Sequence, residues 1–153
     1  MIRTGVVGAG GWAAGSHLPA LAGLAGYEVT AVATTRQESA DRVAADHGVP
    51  LAFAGAGPLV AHDEVDLVVV SVKAPEHAKV IRAALEAGKH VLSEWPLTVD
   101  PAEAAELAEL ASAAGVTHAV VTRDQDVSSD RTRHVLGWSP TRPSLLAYLR
   151  DGG

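Results

Sequence analysis

The chain has 153 residues, of which 48% are hydrophobic and 20% charged, which is enough for one domain of ordinary size but not for two. Its net charge is −6 and it carries no basic stripe, so we expect no nucleic-acid binding by this chain. The absence of cysteine excludes disulfides and thiol chemistry and suits a cytoplasmic protein, and no apolar run approaches the ~18 to 20 residues of a membrane span.

The first half of the chain alternates strand-like and helix-like patterns. The predicted elements are a strand over 5–7, a helix over 12–24, a strand over 28–33, a helix over about 38–47, a weak strand over 51–53 and a loop with a short turn over 55–62. Each pattern is bounded by glycine or proline, which marks the ends of the elements.

The second half continues the alternation. Residues 66–72 are almost all apolar and rich in valine, which is typical of a strand covered on both faces. The elements predicted after it are a helix over 75–87, a strand over 90–92, a helix opened by Asp100 and closed by Gly115, and a strand over 117–121. This order predicts right-handed crossovers and a doubly wound α/β fold with a parallel sheet, as one domain over 1–122 with a short helical tail over 123–153.

A glycine-rich turn joins the first predicted strand to the first predicted helix. Gly8 permits a tight turn, Gly10 lets the backbone approach a pyrophosphate, and the small Ala13 lets the helix pack on the strand. The helix N-terminus would face the phosphates with unpaired N–H groups, so we include Gly11 and Trp12 in a predicted Rossmann-type dinucleotide site. The alternative is a glycine-rich turn that binds nothing.

The residues after the second predicted strand select the cofactor in such folds. An acidic residue there holds the ribose 2′-hydroxyl of NAD, whereas this chain has Thr34, Thr35 and Arg36. A hydroxyl beside a guanidinium can bind a 2′-phosphate, so the sequence favours NADP, with NAD as the other possibility. The alternative is an exposed Arg36 that only opens the next helix.

Four side chains can be given either a functional or a structural interpretation. His77 follows the long apolar strand, and two interpretations stay open for it, a ligand-binding role and a role in orienting the helix start. Lys73 either reaches a cofactor phosphate or, as we prefer, stays solvated. His17 and His47 have no second ligand at helical spacing, so we predict surface residues and no metal site.

Four segments together resemble the N-terminal half of the glucose-fructose oxidoreductase, inositol dehydrogenase and MocA (Gfo/Idh/MocA) family. They are the glycine turn over 8–13, the strand over 66–72 with Pro75-Glu76-His77, the run over 83–91, and Glu94-Trp95-Pro96-Leu97. The resemblance covers about residues 3–121. It implies that the Pro75–His77 loop lies over the cofactor, and on it we assign Val72, Pro75, His77 and Glu94 to the cofactor site.

The resemblance stops at one position. The family has a lysine beside nicotinamide and substrate where this chain has Trp95, and an indole N–H cannot titrate near neutral pH. The catalytic residues are therefore unknown. The Glu-Trp-Pro segment, together with the Ala-Gly-Trp-like opening and the Ala-Thr-Thr-Arg segment over 33–36, looks like the branch of the family that includes galactose-pathway repressor-like proteins. Trp95 is either a stacking surface or a packing residue.

The last thirty residues depart from the family as well. Residues 127–146 resemble the C-terminal tail of extended short-chain dehydrogenases and epimerases, which suggests a fused or frame-shifted gene joined near 122–125, without the family's substrate domain. Three interpretations follow. The first is a truncated oxidoreductase-like domain that transfers little hydride, and the second is a non-catalytic dinucleotide sensor that acts with a protein partner or as a homo-oligomer. The third is a non-functional gene fragment of marginal stability, with exposed apolar surface.

Overall fold

The computed structural model describes residues 1–116, which form five strands and six helices. The strands are β1 (Ile2–Val7), β2 (Tyr27–Thr34), β3 (Leu51–Ala54), β4 (Leu67–Val70) and β5 (His90–Ser93). The helices are α1 (Trp12–Gly15), α2 (His17–Ala22), α3 (Gln37–His47), α4 (Ala56–Val60), α5 (Ala74–Glu86) and α6 (Pro101–Ala114).

The five strands form one parallel sheet in the order β3-β2-β1-β4-β5. The order reverses between β1 and β4, which is the point where parallel α/β sheets open a crevice at the carboxyl ends of their strands. The predicted doubly wound, Rossmann-type fold is confirmed.

The two faces of the sheet are buried in separate apolar clusters. Neighbouring residues of a strand point to opposite faces, so Val6 joins a cluster with residues of α1, α2 and α3, while Val7 joins one with residues of α4, α5 and α6. Burial on both sides explains why β4, an interior strand of the sheet, is built from Leu and Val alone.

The prediction of one helix over 12–24 is wrong. The chain forms α1 and α2 with a break at Ser16, whose φ and ψ are −126° and −64°. Pro19 explains the break, because it has no N–H and its ring collides with the carbonyl four residues earlier, so it is tolerated only in the first turn of a new helix. The predicted loop over 55–62 also holds a helix, α4, and β4 is shorter than the strand predicted over 66–72.

The ends of α6 agree with the prediction. The Asp100 carboxylate accepts a hydrogen bond of 2.9 Å from the backbone N–H of Ala102, and Gly115 ends the helix at a φ of +65°. The predicted strand over 117–121, the tail and the boundary at 122 lie outside the described residues. Within those residues, no helix has the length and apolar character needed to cross a membrane.

An ion pair lies at the amino-terminal ends of β1 and β4. Asp66 accepts hydrogen bonds from the backbone N–H of Arg3 and from its guanidinium, at 2.9 and 2.6 Å, and Glu64 lies 3.3 Å from the same guanidinium. The hydrogen bonds from the Arg3 side chain and backbone hold the pKa of Asp66 well below its usual range. This pair fixes the start of β1 against the start of β4.

Candidate functional site

The carboxyl ends of the strands open onto a cavity of about 1020 Å³. It lies across the switch point between β1 and β4, where ligands of such sheets bind. The residues that border it come from the ends of all five strands and from α1, α4 and α5: Val7, Gly8, Gly10, Trp12, Ala33, Thr34, Thr35, Gly55, Ala56, Gly57, Ser71, Val72, Lys73, Glu76, Lys79, Val80 and Glu94.

The glycine turn after β1 forms one wall of this cavity. Gly8 has a φ of +85°, and a Cβ added to it would lie 2.2 Å from the backbone oxygen of Ser71, so no other residue fits. The N–H groups of Gly8 and Ala9 donate to the carbonyl of Ala33, at 2.9 and 3.1 Å. These bonds fasten the turn to the end of β2.

The next part of the turn is open. No atom lies within 4 Å of a Cβ added to Gly10 or Gly11, while Ala13 is fully buried against the sheet. Trp12 begins α1, and the N–H of Ala13 after it donates to the carbonyl of Gly10 at 3.2 Å. The turn therefore offers backbone with no side chain over it at Gly10 and Gly11, which suits the approach of a pyrophosphate.

The end of β2 brings hydroxyl groups to the cavity. Thr34 and Thr35 both border it, and the Thr34 hydroxyl donates a hydrogen bond of 2.8 Å to the carbonyl of Arg36. Arg36 is exposed, is the residue before α3 and does not border the cavity. The position of Arg36 agrees with the interpretation that it opens a helix.

The cavity is also bordered by residues that we did not predict from the sequence. Gly55 to Gly57 follow β3, and Lys79 lies on α5, one turn beyond the helix start. Lys73, for which we preferred a solvated position, also borders the cavity. The two ammonium groups bring positive charge to the cavity, which suits phosphate, and the carboxylate of Glu76 borders it as well. The signal available for Gly55 was its place directly after a strand, at the same edge of the sheet as Gly8.

His77 does not border the cavity. Its side chain is buried, with Nδ1 2.8 Å from the carbonyl oxygen of Pro96 and Nε2 2.9 Å from that of Val72. Pro75 lies in the first turn of α5 and does not border the cavity either. This geometry favours the structural interpretation of His77, in which it joins the start of α5 to the loop after β5.

A polar cluster lies at the ends of β4 and β5. Glu94 borders the cavity, and its Oε1 accepts a hydrogen bond of 2.9 Å from the Ser71 hydroxyl and lies 2.6 Å from Nε2 of His17. His17 begins α2 and is half-buried, and its contact with Glu94 is one that we did not predict from the sequence. The cluster connects α2 with the ends of two strands.

Two tryptophans are exposed near this edge. The side chain of Trp95 is 92% exposed, so it does not pack into the core, and Trp12 is 70% exposed and borders the cavity. Among residues 1–116 no group of three or more His, Asp and Glu side chains could hold a metal ion.

Comparison with known proteins gives a family match over most of the chain. The model of the Gfo/Idh/MocA family, described as an oxidoreductase family with an NAD-binding Rossmann fold, matches residues 2–122. The dTDP-3,4-didehydro-2,6-dideoxy-alpha-D-glucose 3-reductase of Actinomadura kijaniata is 41% identical over 115 residues, which are 75% of this chain and 34% of that protein. The D-xylose 1-dehydrogenase (NADP(+)) 2 of Haloferax volcanii is 34% identical, over 74% of this chain and 34% of its own length.

Solved structures agree with this match. The crystal structure of a 3-ketoreductase from Actinomadura kijaniata in complex with NADP and TDP-benzene is 40% identical, with a TM-score of 0.73 over 76% of this chain and 36% of that one. An NAD binding oxidoreductase from Klebsiella pneumoniae is 31% identical, with a TM-score of 0.67 over 76% of this chain and 33% of that one. The chain thus spans about a third of the length of these relatives.

Proposed function

Because the chain belongs to the Gfo/Idh/MocA oxidoreductase family, with its NAD-binding Rossmann fold, we propose that its cavity binds NADP in preference to NAD. The observation that carries the proposal is the open backbone surface at Gly10 and Gly11, beside a cavity at the switch point of the sheet. A pyrophosphate placed there accepts hydrogen bonds from the start of α1.

The preference for NADP rests on the end of β2. Thr34 and Thr35 border the cavity and no carboxylate occupies residues 33–36, so nothing there repels a 2′-phosphate. Arg36, one residue further, does not border the cavity, so the preference rests on the two threonines and on the absence of a carboxylate. The relatives support this choice, since one is an NADP(+)-dependent D-xylose dehydrogenase and another was crystallised with NADP.

The cofactor, when bound, supplies hydride chemistry at its nicotinamide ring, and the chain's own residues bind and orient it. We propose that this chain alone transfers hydride slowly or not at all, because Trp95 stands at the position of the family's lysine and an indole cannot exchange a proton with a substrate hydroxyl. The cytoplasmic location of the protein and its association with a protein partner or a second copy stay predictions.

Thermal unfolding with NADP and NAD tests the proposal. A ligand that binds only the folded state raises the free energy of unfolding by RT ln(1 + [L]/Kd), so NADP should raise Tm more than NAD at the same concentration. The matched control is Gly10→Ala, whose methyl group meets no protein atom within 4 Å but occupies the surface for the pyrophosphate. No rise in Tm with either nucleotide would contradict the proposal.

A second candidate function is a non-catalytic dinucleotide sensor, as in the repressor-like branch of the family. The specific observation in its favour is Trp95, whose side chain does not titrate and is 92% exposed. It directly follows the cavity residue Glu94, where a partner protein or a second copy of the chain can contact it. Sedimentation of the chain with and without NADP tests this, because a sensor changes its association with ligand. Association that ignores NADP would count against it.

The third interpretation, a non-functional gene fragment, predicts marginal stability. Large apolar side chains are exposed at several places in the described residues: Met1, Ile2, Trp12, Leu24, Trp95 and Val99. A cooperative unfolding transition with the free energy usual for a domain, about 5 to 15 kcal/mol, would argue against the fragment.

A further inference from the structure

The cavity has two chemically different ends. In folds of this kind the residues after β2 hold the adenosine ribose, and the pyrophosphate lies at the turn after β1. The nicotinamide half must therefore extend in the other direction, toward the ends of β4 and β5. This placement rests on the proposed function.

One carboxylate borders the cavity at the ends of those two strands. Glu94 is held there by two groups, the Ser71 hydroxyl at the end of β4 and Nε2 of His17 at the start of α2. A carboxylate only accepts hydrogen bonds, so both partners donate to it. Both contacts use Oε1, and the side chain keeps 30% of its surface exposed, so its charge is fixed in place while it still faces the cavity.

The two redox states of the cofactor differ by one charge at the nicotinamide ring, which is cationic in NADP⁺ and neutral in NADPH. Their phosphates are identical. A fixed anion near the ring therefore attracts the oxidised form and leaves the reduced form almost unaffected. Lys73, Lys79 and Glu76 also border the cavity. Their charges do not change when Glu94 alone is substituted, so a comparison with a Glu94 variant isolates the effect of the Glu94 charge.

We propose that Glu94, fixed by Ser71 and His17, determines which redox state of the dinucleotide the site prefers, by favouring NADP⁺ over NADPH. The partial exposure of Glu94 screens its charge, so the expected effect is a factor of about three to ten in the ratio of the two dissociation constants. By linkage, a site that favours the oxidised form lowers the reduction potential of the bound couple.

The test is the ratio of the Kd of NADP⁺ to the Kd of NADPH, measured by titration calorimetry for the unmodified chain and for Glu94→Gln. The amide keeps the size of the side chain and an acceptor for Ser71 but removes the charge. The ratio should rise about three- to tenfold in the variant, mainly through weaker NADP⁺ binding. Glu86→Gln, at the far end of α5 and away from the cavity, is the matched control and should leave the ratio unchanged.

The outcomes separate the two proposals. An unchanged ratio in Glu94→Gln, with both nucleotides still bound, overturns the role of Glu94 and leaves the binding function standing. Failure of the unmodified chain to bind either nucleotide overturns the binding function and this inference with it. If Glu94→Gln does not fold, Ser71→Ala is the second variant. It removes one of the two groups that hold Glu94, so the ratio of the dissociation constants should rise as well, by a smaller factor. An unchanged ratio in Ser71→Ala also contradicts the proposal.

Discussion

At the scale of single residues, Gly8 and Gly10 both border the cavity but have different structural roles. Gly8 combines a φ of +85° with a Cβ position 2.2 Å from the oxygen of Ser71, so Gly8→Ala must strain the backbone and displace the end of β4. We expect it to lower the free energy of unfolding by at least about 1 to 3 kcal/mol. Urea unfolding measures this, with Gly10→Ala as the control that should unfold almost like the unmodified chain. Equal stability of the two variants would contradict the assignment.

The ion pair between Arg3 and Asp66 should make the free energy of unfolding depend on pH. The pKa of Asp66 is lowered in the folded chain, chiefly by the hydrogen bond from the Arg3 side chain. The unfolded chain therefore takes up this proton first, so the stabilisation is complete above the ordinary aspartate pKa of about 3.9 and is lost as the pH falls below it toward the folded value.

The measurement is the difference in unfolding free energy between the unmodified chain and Asp66→Asn at neutral pH and at about pH 3. The difference should be larger at neutral pH. Its size will be modest, because about a third of the Asp66 side chain is exposed and water screens the pair. A difference independent of pH would show that the charge of Asp66 does not matter.

At the scale of elements, α5 packs on the sheet and also borders the cavity. Its buried face includes Ile81, which is 2% exposed and packs in the cluster with Val68, Val70 and Leu107. Ile81→Ala should cost about 2 to 5 kcal/mol, because the removed atoms leave a cavity in a close-packed interior.

Equilibrium unfolding checks this value against the neighbouring Arg82→Ala. Arg82 is on the outer face, where it contacts Glu106 at 3.1 Å, and loss of such an exposed pair costs about 0 to 1 kcal/mol. Similar losses for the two variants would mean that α5 does not bury the face described.

Most elements could be predicted because their signals are local. The apolar run at β4, the Asp100 cap and the glycine ends of the helices are each set by neighbouring residues. The break between α1 and α2 has a local cause too, in Pro19, but the apolar spacing continues through it and outweighed the proline in the prediction.

At the scale of the whole molecule, the cavity is made by residues far apart in the chain. Among the predicted site residues, Gly8, Gly10 and Trp12 of the glycine turn border the cavity, as do the two threonines at the end of β2, whereas Gly11 and Ala13 do not. The contact between His17 and Glu94 joins residues 77 positions apart, and no spacing rule connects them before the sheet order is known. Lys79 was missed for the same reason, since only the packing of α5 brings it to the cavity wall.

The most direct test of the NADP site is a calorimetric titration of the chain with NADP⁺. We expect saturable binding at one site per chain, weaker binding of NAD⁺, and loss of most of the affinity in Gly10→Ala while its Tm stays close to that of the unmodified chain. Undiminished binding in Gly10→Ala, or no binding by the unmodified chain, would contradict the placement of the pyrophosphate at the glycine turn.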